Sequence, residues 1–398
     1  MKPLAGQRVI DLTQNVAGPY CTQVLADLGA EVVKIERPGA GDDTRHWAPN
    51  IGAAMSPTYA TFNRGKQSLA INLDDPEGQA LLVSMLLPDD VFVHSLKPGS
   101  AEQRGLGYEA LAESRPGLIY CAISAYGTSG PRAAFPGYDP LIQAYAGIMS
   151  VNGHEGLAPA RVGVSMVDIG TGLWSALGIV AALSQRKDSG RGCRVDTSLL
   201  ESGVAWMTNP IANYSASGKL PRRMGSATAM LMPYEVFQCG DGQVFIGCGN
   251  DRLFRKLLQG LDHLALAEDE RFATNAERVK HRELVHDTLE AITGVLPTAQ
   301  VIERLEAQGV PVSPVNDLSQ VMQDAQVQAV NIAHPLAWEG GPDRPLSAIG
   351  TPIRFDGQRE FASHLSARVG ADSQALLHAA GVSEERIAQL VSNGTVQI

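Results

Sequence analysis

One carboxylate stands out in the sequence because of its neighbours. Asp168 lies in "RVGVSMVDIGTGLW" (161–174), where apolar residues, small residues and one serine surround it. Burying an unpaired acid among such residues is costly, so its position needs a physical reason. The spacing allows two. Asp168 is the N-cap of a following helix, or it is a reactive carboxylate between a strand end and a helix start, where the N–H groups of Gly170 and Gly172 stabilise developing charge.

Basic side chains near predicted strand ends indicate an anion site. Arg37 ends one predicted strand and Lys97 follows another, with Arg64 and Arg104 nearby in the sequence. The carboxyl ends of parallel strands form the ligand crevice of an open sheet. A phosphorylated cofactor is therefore one interpretation, and solvated surface charge is the other. The first strand-to-helix turn contains only Gly18 where a dinucleotide site requires G-x-G-x-x-G, which argues against NAD.

The sequence does not indicate metal, serine-nucleophile or cysteine chemistry. The nine histidines lack paired metal-ligand spacing, and no G-x-S-x-G elbow occurs, so we expect neither a metal site nor a serine triad. The five cysteines form no C-x-x-C pair and are expected to be reduced packing thiols. The loop 126–140 carries Tyr126, Tyr138 and Asp139, and local packing is the simplest use of its tyrosines.

Elements that would position these residues follow from hydrophobic periodicity. Short apolar runs alternate with helical patterns over the first half of the chain, which predicts a doubly wound parallel sheet covered by helices. The predicted strands are 8–13, 31–36, 68–73, 91–96 and 118–125, and the predicted helices are 19–29, 76–87, 108–114 and 171–186. A hairpin at 233–249 and helices at 251–261, 282–293 and 299–308 follow, then extended chain at 309–321.

Composition limits the class of protein. The chain has 398 residues, of which 44% are hydrophobic and 19% charged, as in soluble globular proteins. Acidic residues outnumber basic ones, 42 to 32, so nucleic acid and anionic membranes are not expected partners. Neither a signal peptide nor an apolar span of membrane length is evident, and we expect a cytoplasmic protein.

Several long motifs, in order, give the chain a recognisable identity. The sequence resembles the class III CoA-transferase family (CaiB/BaiF type) in "LAGQRVIDLTQNVAGPYCTQVLADLGAEVVKIERPGAGDDTR" (4–45), "FNRGKQSLAINL" (62–73), "ISAYGTSGP" (123–131), "PGYDPLIQAYAG" (136–147) and "VGVSMVDIGTGL" (162–173). The resemblance implies a Rossmann-like large domain built from both chain ends, a smaller α+β middle domain and an interlocked homodimer. Together with a change of composition near 205, it predicts 1–205 as the first part of the large domain, 206–230 as a linker, 231–325 as the small domain and 326–398 as the return to the large domain.

The resemblance also implies a covalent mechanism. Asp168 would attack an acyl-CoA thioester to form a mixed anhydride and a CoA thiolate, after which CoA is carried as an aspartyl thioester. CoA and acyl-CoA would be substrates, with no permanently bound cofactor. The apolar residues before Asp168 would then form a strand and a water-poor wall, and the following glycines would leave room for the thioester. The implied CoA contacts are Asn15, Val16, Arg37, Ile71, Asn72, Leu73, Asp74, Ser95, Leu96, Lys97, Arg104, Tyr138 and Asp139.

Within the family, the residues favour some activities over others. Formyl-CoA transferases carry Gln where this chain has Val16, and the family often has Arg where this chain has Gln103, beside Arg104. Racemases of 2-methylacyl-CoA have "GHD" where this chain has Tyr138 between Gly137 and Asp139, and tyrosine is a poor proton acceptor near neutral pH. A transferase is therefore favoured over a racemase. A non-catalytic acyl-CoA-binding protein is a third reading, against which the intact motif around Asp168 argues.

The segment 210–250 most resembles the branch that uses succinyl-CoA and small dicarboxylic acids such as glutarate. Arg222 or Arg223 would pair with the distal carboxylate of such an acid, and exposed linker charge is the alternative for either residue. Gly247 and Gly249, in "GCGN", resemble the family's mobile glycine loop over the intermediate.

Overall fold

The computed structural model describes residues 1–52, 54–338, 341–343 and 345–398. The chain divides into two compact units, one of Met1–Ile148, Val162–Ala216 and Val330–Ile398 and the other of Met149–Arg161 and Ser217–Ala329. The first unit thus contains both chain ends. The segment predicted as a linker, 206–230, begins with a helix at Thr208–Ser217, and its remainder belongs to the second unit.

Strands and helices are numbered in chain order. The strands are β1 (Arg8–Leu12), β2 (Glu31–Glu36), β3 (Lys66–Ile71), β4 (Val91–His94), β5 (Ile119–Ser124), β6 (Arg194–Ser198), β7 (Tyr234–Gln238), β8 (Gln243–Gly247), β9 (Val312–Pro314), β10 (Ala333–Leu336), β11 (Leu346–Ile349) and β12 (Val396–Gln397). The helices are α1 (Ala17–Asp27), α2 (Pro57–Asn63), α3 (Pro76–Met85), α4 (Ser100–Gln103), α5 (Tyr108–Ser114), α6 (Asp139–Tyr145), α7 (Ile148–Val151), α8 (Met166–Ser189), α9 (Leu199–Trp206), α10 (Thr208–Ser217), α11 (Asp251–Gly260), α12 (Glu270–Ala273), α13 (Asn275–Lys280), α14 (Arg282–Thr293), α15 (Thr298–Ala307), α16 (Leu318–Gln323), α17 (Ala325–Ala329), α18 (Ser373–Ala379) and α19 (Glu384–Ser392).

A seven-stranded, mostly parallel sheet forms the centre of the first unit. Its order is β12-β3-β2-β1-β4-β5-β6, with β12 antiparallel to β3 at the edge. Strand β1 lies in register between two neighbours, with Ile10 opposite both Val33 of β2 and Phe92 of β4. The mixed α/β prediction is confirmed. The order reverses between β1 and β4, and ligands of open sheets bind outside the carboxyl ends of the strands at such a point.

Helices α1 and α8 pack together through a glycine. A Cβ added to Gly172 of α8 would lie 2.6 Å from the carbonyl oxygen of Ala17, so only glycine allows the two backbones to approach this closely. The other face of the sheet carries a large apolar cluster that includes Phe92 and Tyr120. The start of α8 is therefore held against the start of α1, beside the carboxyl end of β1.

Helix α8 departs from two sequence expectations. It begins at Met166, five residues earlier than predicted, and its most apolar 18-residue window has a mean hydropathy of 1.6, so by length and composition it could cross a membrane. The expectation that no such segment exists was wrong. Half of that window is buried inside the protein, and central core helices meet the same criterion, so this property alone does not indicate a membrane.

The second unit contains an antiparallel sheet of order β7-β8-β9 with helices around an apolar core. The predicted hairpin is confirmed as β7 and β8, and the three predicted helices as α11, α14 and α15. The extended prediction for 309–321 was wrong at its end, where α16 begins. Asp317 and Gln320 form a capping box there, a local signal that identifies a helix start.

Candidate active site

Many of the predicted site residues surround one cavity of about 240 Å³ at the carboxyl ends of β1, β4 and β5. The predicted catalytic and CoA-binding residues that line the cavity are Asn15, Val16, Ser95, Leu96, Lys97, Tyr138 and Asp168. The cavity lies where the strand order reverses, which is the position expected for a ligand in such a sheet. The fold therefore brings the carboxylate and much of the predicted CoA site together.

Asp168 lies in the first turn of α8, a position that differs from both sequence expectations, the helix cap and the junction between a strand and a helix. Ser165 occupies the N-cap position, so Asp168 is not the cap. The preceding residues 162–165 form no strand, and the Val164 side chain is 63% exposed rather than part of a buried wall. The alternating valines imitate the period of a strand, whereas Val167 belongs to the buried face of the helix.

A buried carboxylate and a buried amide hold the backbone under Asp168. One oxygen of Asp139 accepts hydrogen bonds from the N–H groups of Val167 (2.7 Å) and Asp168 (3.2 Å), and the other accepts one from the Gln143 side chain (2.6 Å). Gln143 in turn accepts one from the N–H of Val162 (2.8 Å). Asp139 is only 2% exposed, so the geometry favours a positioning role over its predicted contact with CoA.

The surroundings make Asp168 an unusually weak acid. Burial of its side chain, followed by repulsion from the negative charge of Asp139, raises the pKa of Asp168 to about 7. Near neutral pH the carboxylate is available in a large fraction of molecules, and it is more basic than an ordinary aspartate. Both properties suit a carboxylate nucleophile in a partly dry cavity.

The two glycines after Asp168 serve packing, in contrast to the sequence expectation. Gly172 permits the close approach of α1, and a Cβ on Gly170 would lie 2.9 Å from the indole of Trp206. Both are inside α8, so their N–H groups belong to the helix rather than to an anion-binding turn. The glycines thus fix the position of Asp168 between α1 and α9.

The remaining predicted CoA contacts do not line this cavity. Arg37 is exposed and forms an ion pair with Asp43. Ile71 is buried in the core at the end of β3, followed by Asn72, Leu73 and Asp74. Arg104 binds Asp74 at 2.7 Å and the carbonyl oxygen of Leu73 at 3.3 Å, so it connects α4 to the segment that follows β3.

The predicted acceptor residues belong to the second unit. Arg222 is exposed and lies 3.5 Å from Glu155. Arg223 is half-buried, and its Nη1 atom is shielded from solvent with no hydrogen-bond partner among the described residues. Gly247 ends β8, and Gly249 follows in an open position where a Cβ would meet nothing within 4 Å.

Sequence reasoning did not predict several residues of this site, four of which have side chains that bear on its chemistry or shape. Gln14, Trp47 and Phe135 line the cavity, and Gln143 supports Asp139. Gln14 and Phe135 are close in sequence to predicted contacts, and that proximity was a usable signal. Trp47 and Gln143 act through tertiary contacts, for which no local pattern exists.

Metal and thiol chemistry find no support in the described part of the chain. Within it, no group of three or more His, Cys, Asp or Glu side chains could hold a metal ion. The five cysteines are free, and burial raises the pKa of the thiols of Cys121 and Cys248 to about 12, which leaves them unreactive.

Comparison with known proteins identifies the family of the chain. The sequence profile of CoA-transferase family III matches residues 4–373. The chain is 41% identical over 327 residues to a succinyl-CoA:glutarate CoA-transferase of Mus musculus, covering 82% of this chain and 75% of that protein. It is 38% identical over 368 residues to a succinate–glutarate CoA-transferase of Agrobacterium fabrum, covering 89% and 91%. A crystal structure of a CaiB/BaiF family protein from Brucella suis superimposes with a TM-score of 0.85 at 36% identity, covering 95% of this chain and 99% of that one. The family profile spans nearly the whole chain, and relatives of this family match it in sequence and in fold, so the chain belongs to CoA-transferase family III.

Proposed function

We propose that this enzyme transfers CoA from succinyl-CoA to a small dicarboxylic acid such as glutarate, with Asp168 as the nucleophile. The observation that carries the proposal is the carboxylate of Asp168, whose pKa is raised to about 7 and which lies on the wall of the cavity where the strand order of the sheet reverses. The relatives named above supply the donor and the acceptor class.

The proposed reaction conserves the thioester bond energy through three covalent intermediates on Asp168, an anhydride, a thioester and a second anhydride. The Asp168 carboxylate attacks the succinyl thioester, so the C–S bond breaks and a mixed anhydride and CoA thiolate form. The thiolate then attacks the aspartyl carbonyl, which releases succinate and leaves an aspartyl-CoA thioester. The acceptor carboxylate attacks the carbonyl of this thioester, which breaks the C–S bond, releases the CoA thiolate and forms a mixed anhydride of Asp168 and the acceptor. The thiolate then attacks the acceptor carbonyl of that anhydride, which forms the new acyl-CoA and frees the Asp168 carboxylate. Water must be excluded throughout, because it would hydrolyse each of these intermediates.

The CoA moiety is proposed to lie along the cavity-lining turns. Asn15, Val16 and the segment Ser95–Lys97 flank Asp168 in the cavity, and the exposed Lys97 ammonium is suited to a phosphate. Arg37 and the Asp74–Arg104 pair are proposed as outer contacts to the charged end of CoA. Tyr138, which is 59% exposed on the cavity rim, offers its ring to the pantetheine arm.

Arg223 is the better candidate for the distal carboxylate of the acceptor. Arg222 already faces Glu155 and is exposed, whereas a guanidinium nitrogen of Arg223 is shielded from water without a partner among the described residues. A buried donor without an acceptor is costly, and a carboxylate would satisfy it in a charge-assisted bond. Gly247 and Gly249 are proposed to belong to the segment that covers the intermediate.

We also propose the interlocked homodimer. An exposed apolar surface on α6, α8, α9 and α10 supports it, since apolar surface of this extent commonly marks a protein interface. Its large members are Leu141, Tyr145, Leu173, Trp174, Leu177, Val204, Trp206, Ile211 and Tyr214. Sedimentation equilibrium should give twice the chain mass, and a monomer at micromolar concentration would contradict the proposal.

A panel of carboxylic acids assayed with succinyl-CoA tests the activity. Formation of the new acyl-CoA should be fastest with dicarboxylates of glutarate size and absent in Asp168→Ala. Arg223→Gln should raise KM for the dicarboxylate without raising KM for succinyl-CoA, whereas the matched variant Arg222→Gln should change neither. Hydrolysis of succinyl-CoA without transfer to any acid would contradict the proposed function.

A further inference from the structure

The turn between β1 and α1 lines the cavity and is held by groups from neighbouring segments. Residues 14–18 all contribute to the lining. Asn15 has a φ of 67°, a left-handed conformation that asparagine adopts more readily than other residues with a side chain. The N–H of Gln14 donates to the hydroxyl of Ser95 (3.1 Å), which ties the turn to the next cavity segment. The residue that follows β4 therefore contacts the backbone of this turn.

A buried ion pair from β2 and the following loop supplies more of that support. The Lys34 ammonium group donates to the carbonyl oxygen of Thr13 at 2.9 Å and lies 2.9 Å from the carboxylate of Asp42. The other oxygen of Asp42 accepts from the N–H of Asn15 at 3.4 Å and from the N–H of Thr44 at 2.9 Å. Thus the Lys34–Asp42 pair binds the backbone on both sides of Gln14.

The same pair also holds a second wall of the cavity. Asp42 caps the short helical turn Asp43–His46, which leads directly into the cavity-lining Trp47. Asp42 is further fixed by its own N–H, which donates to Glu36 at 3.1 Å. One ionic contact thereby sets the spacing between the turn at Asn15 and the segment at Trp47.

Stability does not by itself explain this ion pair. Lys34 and Asp42 are each 1% exposed, and removing two charges from water costs about as much as their attraction returns. Although burial lowers it, the negative charges of Asp42, Asp11 and Glu36 hold the pKa of Lys34 above its usual value, so the lysine stays charged. Two well-packed apolar side chains would stabilise the core to a similar extent, but they would form no hydrogen bonds to the backbone of the turn.

We propose that Lys34 is a positioning residue, which holds the Thr13–Val16 turn against Asp42 in the geometry that receives the acyl-CoA substrate. The inference rests on the proposed function, because the turn is assigned to CoA there. Lys34 itself touches no substrate. Its effect should therefore appear in the binding of the thioester rather than in the identity of the nucleophile.

The test compares two neutralised buried pairs. Lys34→Met/Asp42→Asn removes both charges but keeps an amide oxygen for the N–H groups of Asn15 and Thr44. The matched control is Arg64→Met/Asp27→Asn, a pair that is equally buried and binds the C-terminal segment at Thr351 and Ala362. Asp27 ends α1, ten residues beyond Ala17 and so about 15 Å along the helix axis from the cavity.

Folded fraction is measured by thermal melting, and reactive sites are counted from single-turnover formation of the Asp168 adduct. Per reactive site, the Lys34→Met/Asp42→Asn variant should show a KM for succinyl-CoA raised about 10-fold or more, since displacements near 1 Å have effects of this size. The control should stay within about twofold of the wild type, whatever its melting temperature. Equal KM values in the two variants, or a loss of reactive sites with KM unchanged, would overturn the proposal.

The result separates this inference from the proposed function. If the wild type transfers no CoA from succinyl-CoA, the proposed function fails, and CoA binding is measured directly by titration calorimetry. Weaker CoA binding in the Lys34→Met/Asp42→Asn variant than in the control would still support the positioning role. Equal CoA binding in both variants would reject it.

Discussion

The charge of Asp139 should be measurable through the titration of Asp168. The pKa of Asp168 is raised from 3.8 to about 7, which at roughly 1.4 kcal/mol per unit corresponds to about 4 kcal/mol against ionisation. Burial is the larger cause and the negative charge of Asp139 the smaller, so Asp139 accounts for less than half of the shift. Asp139→Asn should therefore lower the pKa of Asp168 from about 7 by less than half of its shift, and the pKa should stay well above 3.8.

The assay is the pH dependence of kcat/KM for succinyl-CoA in the presence of saturating acceptor. Protonated Asp168 cannot attack, so activity falls as the pH drops through the pKa of Asp168. In Asp139→Asn this fall should begin at a lower pH than in the wild type, and the maximum rate should decrease because a less basic carboxylate is a weaker nucleophile. Asp188→Asn, which changes an exposed acid at the far end of α8, should leave the profile in place.

The hydrogen bonds around Asp139 supply a second control. In Asp139→Asn the new amide oxygen can accept from the N–H groups of Val167 and Asp168, but the amide nitrogen then faces the Gln143 amide, and an unsatisfied donor costs about 1–3 kcal/mol. In the double variant Asp139→Asn/Gln143→Glu, the new amide at position 139 can donate to the new carboxylate at position 143, so the hydrogen bond between the two side chains is restored. The negative charge then lies one side chain further from Asp168. It should recover the lost stability and titrate between the wild type and the single variant. An acid limb at the same pH in all three proteins would refute the reasoning.

Three further outcomes follow from the same geometry. Gly172→Ala should lower both the melting temperature and kcat, because its Cβ would lie 2.6 Å from the carbonyl oxygen of Ala17 and push α1 away from α8. The control is Gly163→Ala, where a Cβ meets nothing within 4 Å and neither quantity should change. Asp168→Asn should raise the melting temperature at pH 8 but not at pH 4. The pKa of this acid is higher in the folded than in the unfolded protein, so its ionisation opposes folding increasingly as the pH rises from about 4 through 7. The loss of folding free energy is about 1–3 kcal/mol after allowance for partial exposure. Lys97→Ala should raise KM for succinyl-CoA several-fold at low salt. Because salt screens an exposed charge, the difference in KM from the wild type should shrink when the kinetics are repeated at about 0.5 M salt.

Much of the fold could be predicted because its signals are local. Strand β2 and helices α5 and α14 have the predicted bounds, since short buried strands and amphipathic helices each carry a distinct period. The sheet order follows from alternating elements and short connections. The start of α8 was missed because Val162 and Val164 alternate like strand residues, and only packing against α1 shows that the helix begins at Met166.

The site could be predicted only in part, for the same physical reason. The motifs identified Asp168 and the turns at Asn15 and Ser95, which lie at strand ends where ligands bind. They assigned Asp139 to CoA, whereas its carboxylate binds backbone N–H groups that follow 28 and 29 residues later in the chain. Lys34 sits within an apolar strand pattern, and its ion pair with Asp42 depends on the fold of the intervening loop. Contacts of this kind leave no local period in a sequence.

Direct detection of the covalent intermediate tests the central claim, that Asp168 is the nucleophile. The protein is incubated with succinyl-CoA, the intermediate is trapped with hydroxylamine, and the modified residue is located by peptide mass spectrometry. We predict a hydroxamate on Asp168, dependent on succinyl-CoA and absent in Asp168→Ala, which should also lack transfer activity. An unmodified Asp168 in an enzyme that transfers CoA, or full transfer by Asp168→Ala, would contradict the account.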